Sequence, residues 1–480
     1  MDLRPISYVV GIFLLTLAAA MAVPIAFDLY FDHPDWKVFF VSSLITSFVG
    51  ALLVFTNRHG QTRIDTQQAF VMTVLCWVTL SIAGAIPFYF SALDMDATDA
   101  LFESISGLTT TGSTVMTNLE AAPPGILIWR AMLQWLGGIG IIVMALSVLP
   151  FLKVGGMQLF RTESSESEKV LPKATTLAAN ITGIYIMLTT ACYLFYLSVG
   201  LTPFDALAHS MTTIATGGYS THDLSMGYYS SAGPSIVAIA FMILGGLPFV
   251  LYLQAVRGNL APLFRDSQVR WFISIILLAT AVAVFYLTLN NQAPFWDALR
   301  ISMFNMVSLI TGTGYSNADY ASWGPFIIGL SFFIMVIGGC AGSTTCGIKI
   351  FRIQILYSIA NNQMKQLIYP HGVFVPRYNG KPIPRGAAGS VLSFFFLYAI
   401  CFTGLAIALS FTGLDFLTAM SGAATSISNV GPGLGDIIGP SGTFSPLPDT
   451  SKWILCVGMI LGRLELFTLL IMLSPAFWKR

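Results

Sequence analysis

Residues 297–319 read DALRISMFNMVSLITGTGYSNAD. The segment is apolar enough to enter a membrane but too short to cross one, since a bilayer core takes about 20 apolar residues per helix. It starts at an acid, Asp297, runs through about a dozen mostly apolar residues and ends in the polar turn Gly312-Thr313-Gly314. Non-helical backbone at membrane depth is tolerated only when buried in protein or lining a water-filled cavity. The spacing therefore predicts a re-entrant helix and loop rather than a transmembrane span.

The same layout occurs four times. The short segments begin TDALFESISG (98–107), FDALAHSMTT (204–213), WDALRISMFN (296–305) and LDFLTAMSGA (414–423). Each carries an acid at the same place: Asp99, Asp205, Asp297 and Asp415. Each leads into a glycine-bearing polar stretch: LTTTGST, IATGGYS, ITGTGYS and ISNVGPG. A glycine follows the acid by 13 positions in the first two copies, then by 17 and 16. An insertion near one helical turn keeps the helix face in the later copies. Four copies in order, each between two long apolar stretches, define the architecture before any other feature is read.

Composition agrees. Of 480 residues, 55% are hydrophobic and 9% charged, whereas a soluble domain carries roughly 25% charged residues. Net charge is +1, which gives no reason to expect nucleic-acid binding. The six cysteines lie in or beside apolar stretches and form no disulfide framework. The stretch from Ile6 to Leu29 is too long for a signal-peptide core and reads as a retained helix. Candidate spans lie near 6–29, 37–56, 68–92, 125–152, 176–199, 234–256, 271–289, 325–350, 388–412 and 452–477. The fold class is thus an all-α polytopic membrane protein of about ten transmembrane helices, with four helix–pore-loop–helix repeats.

Basic residues set the orientation. Alternate loops hold Arg58 and Arg63; Lys153, Arg161, Lys169 and Lys173; Arg257, Arg265 and Arg270; and Lys349, Arg352, Lys365, Arg377, Lys381 and Arg385. Arg4 and the tail Lys479–Arg480 fall on the same side, so both termini are expected in the cytoplasm. Asp28, Asp32, Asp35, Asp94, Asp96, Glu120, Asp223, Asp319, Asp436 and Asp449 fall on the other, making an acidic outer face that would concentrate cations.

The four aspartates are expected to cap the short helices at their outer ends, accepting orphan N–H bonds and complementing the helix dipole. Direct attraction of ions is the other reading. The opposite, partially negative helix ends would then converge on one axis, where they stabilise a dehydrated cation. The turns supply a filter, in which inward backbone carbonyls replace the water shell of an ion. The candidate residues are Thr110, Thr111 and Gly112; Thr216, Gly217 and Gly218; Gly312, Thr313 and Gly314; and Asn429, Val430 and Gly431. Glycine allows the backbone angles required. No carboxylate lies among them, which disfavours a divalent-cation site.

Two features lie deeper. The span 325–350 is interrupted by Gly338, Gly339, Cys340, Ala341, Gly342, Ser343, Thr344 and Thr345, a run that continues to Gly347. It reads either as a flexible loop beneath the filter or as a packed kink. Two thiols without further ligands make a poor zinc site. Arg463 lies near the midplane of the last span, where an arginine is costly and functional by default. Either it opposes cation passage or it holds helices together through a loop carbonyl. Glu465, two positions on, is not placed to pair with it. Arg130 is expected to snorkel from the outer end of its span, while Glu103, His209 and Arg300 on the short helices suit packing pairs or the outer mouth. The loop 153–175 and the segment 361–387 could dock a partner or serve as solvated connectors.

The stretches TTTGST, ATGGYSTHD, TGTGYSNAD and SNVGPG, together with GGCAGSTTCGIKIFR and GRLELFT, resemble the Trk/Ktr/HKT superfamily of potassium transporters, in its bacterial TrkH/TrkG branch. The likeness covers essentially the whole chain. It implies two extra N-terminal helices (1–66) and pore repeats over 67–160, 161–262, 263–360 and 361–480, arranged with pseudo-fourfold symmetry around one pore. It implies that the filter glycines are Gly112, Gly218, Gly314 and Gly431, that 338–347 is the intramembrane gating loop, and that Arg463 stands at the pore constriction beside it. In related plant members serine at the first filter position goes with sodium preference, so Gly112 favours potassium. The resemblance further implies a homodimer in the bacterial inner membrane and a cytosolic, nucleotide-binding TrkA-type ring docked beneath. Potassium is the transported ligand, and no organic cofactor is expected on this chain.

Other classes are less well served. Symport of potassium with protons or sodium usually uses titratable groups along the path, and the sequence shows no carboxylate chain there. An intramembrane enzyme would need a motif such as HExxH, or GxSxG in a strand–helix context, and neither is present. GxxxxGK[ST] is also missing, so the chain itself is not read as a nucleotide binder.

Overall fold

A computed structural model describes residues 1–58, 65–147, 174–384 and 386–479. Arg63, the basic loop 153–173, Arg385 and Arg480 lie outside the described residues. Among the described residues, seven helical spans are long and apolar enough to cross a membrane.

The chain begins with a helical hairpin. Helix α1 (Arg4–Ala20) continues as α2 (Ala22–Tyr30) in one span and returns as α3 (Trp36–Asn57). The hairpin closes through Gly11 and Gly50: a Cβ at Gly11 would stand 2.8 Å from the Gly50 carbonyl oxygen. Without a hydrophobic driving force between helices in lipid, such close backbone approach supplies the packing.

Four repeats follow, each an outer helix, a short pore helix and an inner helix. The outer helices are α4 (Thr66–Phe90), α7 (Ala174–Ser198), α12 (Ser267–Leu289) and α16 (Ala387–Phe411). The pore helices are α5 (Ala97–Leu108), α8 (Pro203–Ile214), α13 (Phe295–Thr311) and α17 (Phe416–Ser428). The inner helices are α6 (Pro124–Ser147), α9 (Ala232–Gly245), α14 (Pro325–Ile334) and α18 (Asp449–Arg463). Each pore helix packs on its own outer helix, and three of the inner helices pack on the pore helix of the next repeat: α6 on α8, α9 on α13, and α18 back on α5. That cyclic order makes a ring around one pseudo-fourfold axis.

Three inner spans are broken, where the sequence suggested one. After α9 the chain bends by 94° through Gly246-Leu247-Pro248 into α10 (Phe249–Val256). After α14 no helix resumes until α15 (Ile350–Ile368). After α18 the chain bends by 105° into α19 (Phe467–Leu470), through Glu465 and Leu466, both at positive φ. The ranges 234–256 and 452–477 are therefore not continuous spans. Apolar composition hid the breaks because hydropathy counts side chains, whereas Pro248 and the left-handed pair act on the backbone. On the basic side, α15 carries a small hairpin of β1 (Arg377–Tyr378) and β2 (Lys381–Pro382), turned by Asn379-Gly380. Lys349 and Arg352, assigned from sequence to a basic loop, are instead buried at the start of α15. All six cysteines are free.

Candidate ion-conducting site

The pore helices correct one expectation. Of the four aspartates only Asp415 is an N-cap, accepting from the Thr418 N–H. A hydrogen bond from the Thr418 hydroxyl, and then that backbone bond, hold its carboxyl below the usual carboxylate range. In the first two repeats the caps are Asp96 and Thr202, while Asp99 and Asp205 sit in the first turn. In the third, Pro294 precedes the helix, no side chain caps it, and Asp297 is again in the first turn. Counting from the cap rather than the acid, the filter glycine follows by 16 positions in repeats one, two and four, and by 20 in repeat three. The extra helical turn thus belongs to α13 alone. All four acids still lie at the positive end of a helix dipole.

At the opposite end each pore helix closes in the same way. Thr110, Thr216, Gly312 and Asn429, each two positions before the filter glycine, all adopt positive φ. Gly112, Gly218 and Gly314 do so as well, at +87°, +83° and +81°. Gly431 does not; it is followed by Pro432, and a Cβ there would be tightly packed against Gly112 and Gly314. The four strands touch in sequence around a ring. A Cβ at Gly112 would stand 2.1 Å from the Gly217 oxygen, one at Gly218 1.8 Å from the Thr313 oxygen, and one at Gly314 2.6 Å from the Gly431 nitrogen. One at Gly431 would be 3.2 Å from the Gly112 oxygen, which closes the circle. At the first three of these separations only glycine fits, while the fourth is a tight contact. Gly112, Gly218 and Gly314 are half-buried among buried neighbours.

The side chains of the triplets are partly committed to the protein. Thr111 and Thr313 share hydrogen bonds with Thr109 and Thr311, and the Asn429 amide donates to Thr111 Oγ1 and to the Met459 carbonyl. The oxygens Thr110 Oγ1 and Asn429 Oδ1 are buried without a protein partner. A polar group left so is expected to meet an ion or water.

Around the ring the structure places residues that the sequence reading missed or misplaced. Gln134 on α6 donates to the Gly217 carbonyl and accepts from the Tyr219 N–H, clamping the second strand. Tyr219 and Tyr315, each just after a filter glycine, reach back with their hydroxyls: Tyr219 to the Glu103 and Ser113 carbonyls, Tyr315 to Thr212 and Thr213. Arg130 does not snorkel. It is 1% exposed, pairs with Glu103 at 2.8 Å and lies over the Tyr219 ring. Glu103 is a packing pair, as expected, and Arg300 pairs with Asp297. Lys452 of α18 pairs with Asp99 of α5 across the ring closure. The repeated GYS after two filter glycines was the one available signal for these contacts. Gln134 had none, being a single amide in an apolar span.

Beneath the ring lies the segment Gly338–Gly347. It is closely bonded. Cys340 N–H and Thr344 N–H donate to the Gly246 and Gly245 carbonyls, and Phe249 N–H donates to the Gly342 carbonyl. Ala341 N–H donates to Gln268, Ser343 bonds to the Cys340 carbonyl and to Thr345, and Gly339 N–H donates to Thr345. Thr216, at the foot of the second strand, donates to Thr344 Oγ1 at 3.1 Å. The segment thus rests against the filter and in the break between α9 and α10. Arg463 is 1% exposed and donates to Cys346 Sγ at 2.7 Å and to the Gly137 carbonyl at 2.6 Å, with its Nε unpartnered. Glu465 pairs with Arg352, not with Arg463. Arg463, Lys349, Arg352 and Glu465 line one small cavity with Thr345 and Cys346.

A family model described as TrkH, cation transport protein, matches residues 36–480. The Trk system potassium uptake protein TrkI of Halomonas elongata is 42% identical over 99% of this chain and 97% of that protein. TrkH of Escherichia coli K12, another Trk system potassium uptake protein, is 35% identical over the full length of both. The crystal structure of the potassium transporter TrkH from Vibrio parahaemolyticus superposes with a TM-score of 0.92 at 36% identity, covering 100% of each chain.

Proposed function

The chain belongs to the TrkH family of cation transport proteins, and from that premise we propose that it takes up potassium through a gated pore selective for potassium over sodium and permeable to rubidium. The observation that carries this reading is the ring of four glycine strands. Three of its glycines are left-handed, each strand abuts the next, and no carboxylate intervenes. In this reading Thr110–Gly112, Thr216–Gly218, Gly312–Gly314 and Asn429–Gly431 supply the oxygens that replace an ion's hydration shell. The segment Gly338–Thr345 is the gate, and Arg463 is a fixed positive charge on the path. The pore repeats run 67–160, 161–262, 263–360 and 361–480 behind the N-terminal hairpin. The protein is a homodimer of the bacterial inner membrane with both termini in the cytoplasm. A TrkA-type nucleotide-binding ring beneath it sets the gate, and the basic-side segment 361–387 is a surface for it.

Gly112→Ser tests the filter assignment. The added Cβ meets the Gly217 carbonyl at a backbone angle that L side chains rarely adopt, so the ring must re-form around it. In flux assays of the reconstituted variant, preference should move toward sodium; an unchanged potassium-to-sodium ratio would place the filter elsewhere.

A further inference from the structure

The position nine residues before each filter glycine is occupied by Glu103, His209, Asn305 and Gly422. The first three side chains are fully buried behind the ring. Each ties its pore helix to the strand that leaves the filter. Glu103 accepts from the Thr114 hydroxyl and the Val115 N–H, each at 3.0 Å. His209 bonds the Asp205 carbonyl through Nδ1, which must therefore donate, leaving Nε2 to accept from the Ser220 hydroxyl at 3.0 Å. Asn305 donates to Asn317 at 2.9 Å. In the fourth repeat, where Gly422 has no side chain, the neighbouring Ser421 hydroxyl accepts from the Leu434 N–H and donates to its carbonyl. One mechanical part is thus built from a carboxylate, an imidazole, an amide and a hydroxyl.

Of the four ties, that of Glu103 reaches furthest. Its carboxylate receives Arg130 Nε at 2.8 Å, and the same guanidinium donates to Thr114 Oγ1 at 3.0 Å and to the Ser220 carbonyl at 2.9 Å. Ser220 belongs to the second strand and Thr114 to the first. One ion pair therefore fixes two of the four strands relative to each other. The Tyr219 hydroxyl bonds to the Glu103 and Ser113 carbonyls, and the Arg130 guanidinium lies 4.0 Å from the Tyr219 ring centre. Glu103 is 0% exposed, and its oxygens are engaged by Thr114, Val115 and Arg130. It is not a direct ligand of a passing ion. Charge-assisted bonds of this kind are the strong ones and hold geometry tightly in a low-dielectric setting.

We infer that Glu103 and Arg130 are positioning residues for ion selectivity, a brace that holds the first two filter strands at the spacing potassium requires. The inference rests on the filter reading above. Discrimination between ions depends on how the carbonyls are held in number, distance and field, and a cut brace lets two of the four strands adjust to a smaller ion.

The experiment is Glu103→Gln, which keeps the shape and removes the charge, reconstituted beside the unmodified chain and Gly112→Ser. Sodium and potassium permeability are read together with melting temperature and elution volume. The inference predicts an unchanged elution volume, a lower but still cooperative melting transition, because Arg130 loses its buried counter-charge, and a potassium-to-sodium ratio lowered by about tenfold, the effect of losing one charge-assisted hydrogen bond. Should Glu103→Gln not fold, Thr114→Val removes the hydroxyl shared by Glu103 and Arg130, together with the bond it accepts from the Met116 N–H, and the same fall is expected. A folded variant with an unchanged ratio, while Gly112→Ser shifts it, overturns the brace and leaves the filter standing. An unchanged ratio in both variants overturns the filter assignment and the brace with it.

Discussion

A methyl group on Gly137 would stand 1.8 Å from the Leu108 carbonyl oxygen, at the end of the first pore helix. The Gly137 carbonyl in turn accepts from Arg463. One residue thus fixes how closely α6 approaches α5 and where the buried guanidinium points. Gly137→Ala should destabilise the protein by about 1–3 kcal/mol, the usual penalty for overpacking a tight core, and should be visible as a lower melting temperature in detergent. An alanine variant as stable as the unmodified chain would mean that α6 can withdraw freely from α5. At this scale the sequence was partly legible. The filter glycines stand out because they recur, and three of the four carry the positive φ that glycine permits. Thr110 and Thr216 also adopt positive φ, which threonine does not announce; Asn429 does so at a helix end, where asparagine is a usual choice after glycine. Arg130 was misplaced because its partner Glu103 lies 27 positions away, and only the fold shows that they meet.

At the scale of elements, the breaks in the inner spans matter most. Among the described residues, the turn after α9, the segment Gly338–Gly347 and the left-handed pair Glu465-Leu466 interrupt three inner spans. The segment is bonded into the first of these breaks through Gly245, Gly246 and Phe249, and it meets the filter through Thr216 and Thr344. If this segment is the gate, its closed position rests on those bonds and on Arg463. Arg463→Ala should raise flux through the reconstituted chain without a partner; a well-folded variant with equal or lower flux would remove Arg463 from the barrier. Thr344→Val, which loses the bonds to Thr216 and to the Gly245 carbonyl, should raise flux less. Only the glycine-rich break was visible from composition. The other two arise from one proline and from a pair of ordinary residues held in an unusual conformation, neither of which alters hydropathy.

For the whole molecule, the repeats close a ring in which inner helices pack on the next pore helix and the fourth strand returns to the first. This arrangement was readable from the fourfold recurrence of an acid, a short apolar run and a glycine turn. Its internal register was not, because the aligned acids occupy two different positions, the cap in the fourth repeat and the first turn in the other three. If the ring passes potassium as a selective pore, it must do so in the purified chain alone. The most direct test is ion flux into proteoliposomes containing the purified chain, under an imposed voltage, with potassium, rubidium, sodium and lithium compared. A selective pore should give voltage-driven potassium and rubidium flux, less sodium flux, little lithium flux and no need for a proton or sodium gradient. Flux that disappears without such a gradient would contradict it and make the protein a coupled transporter built on the same ring.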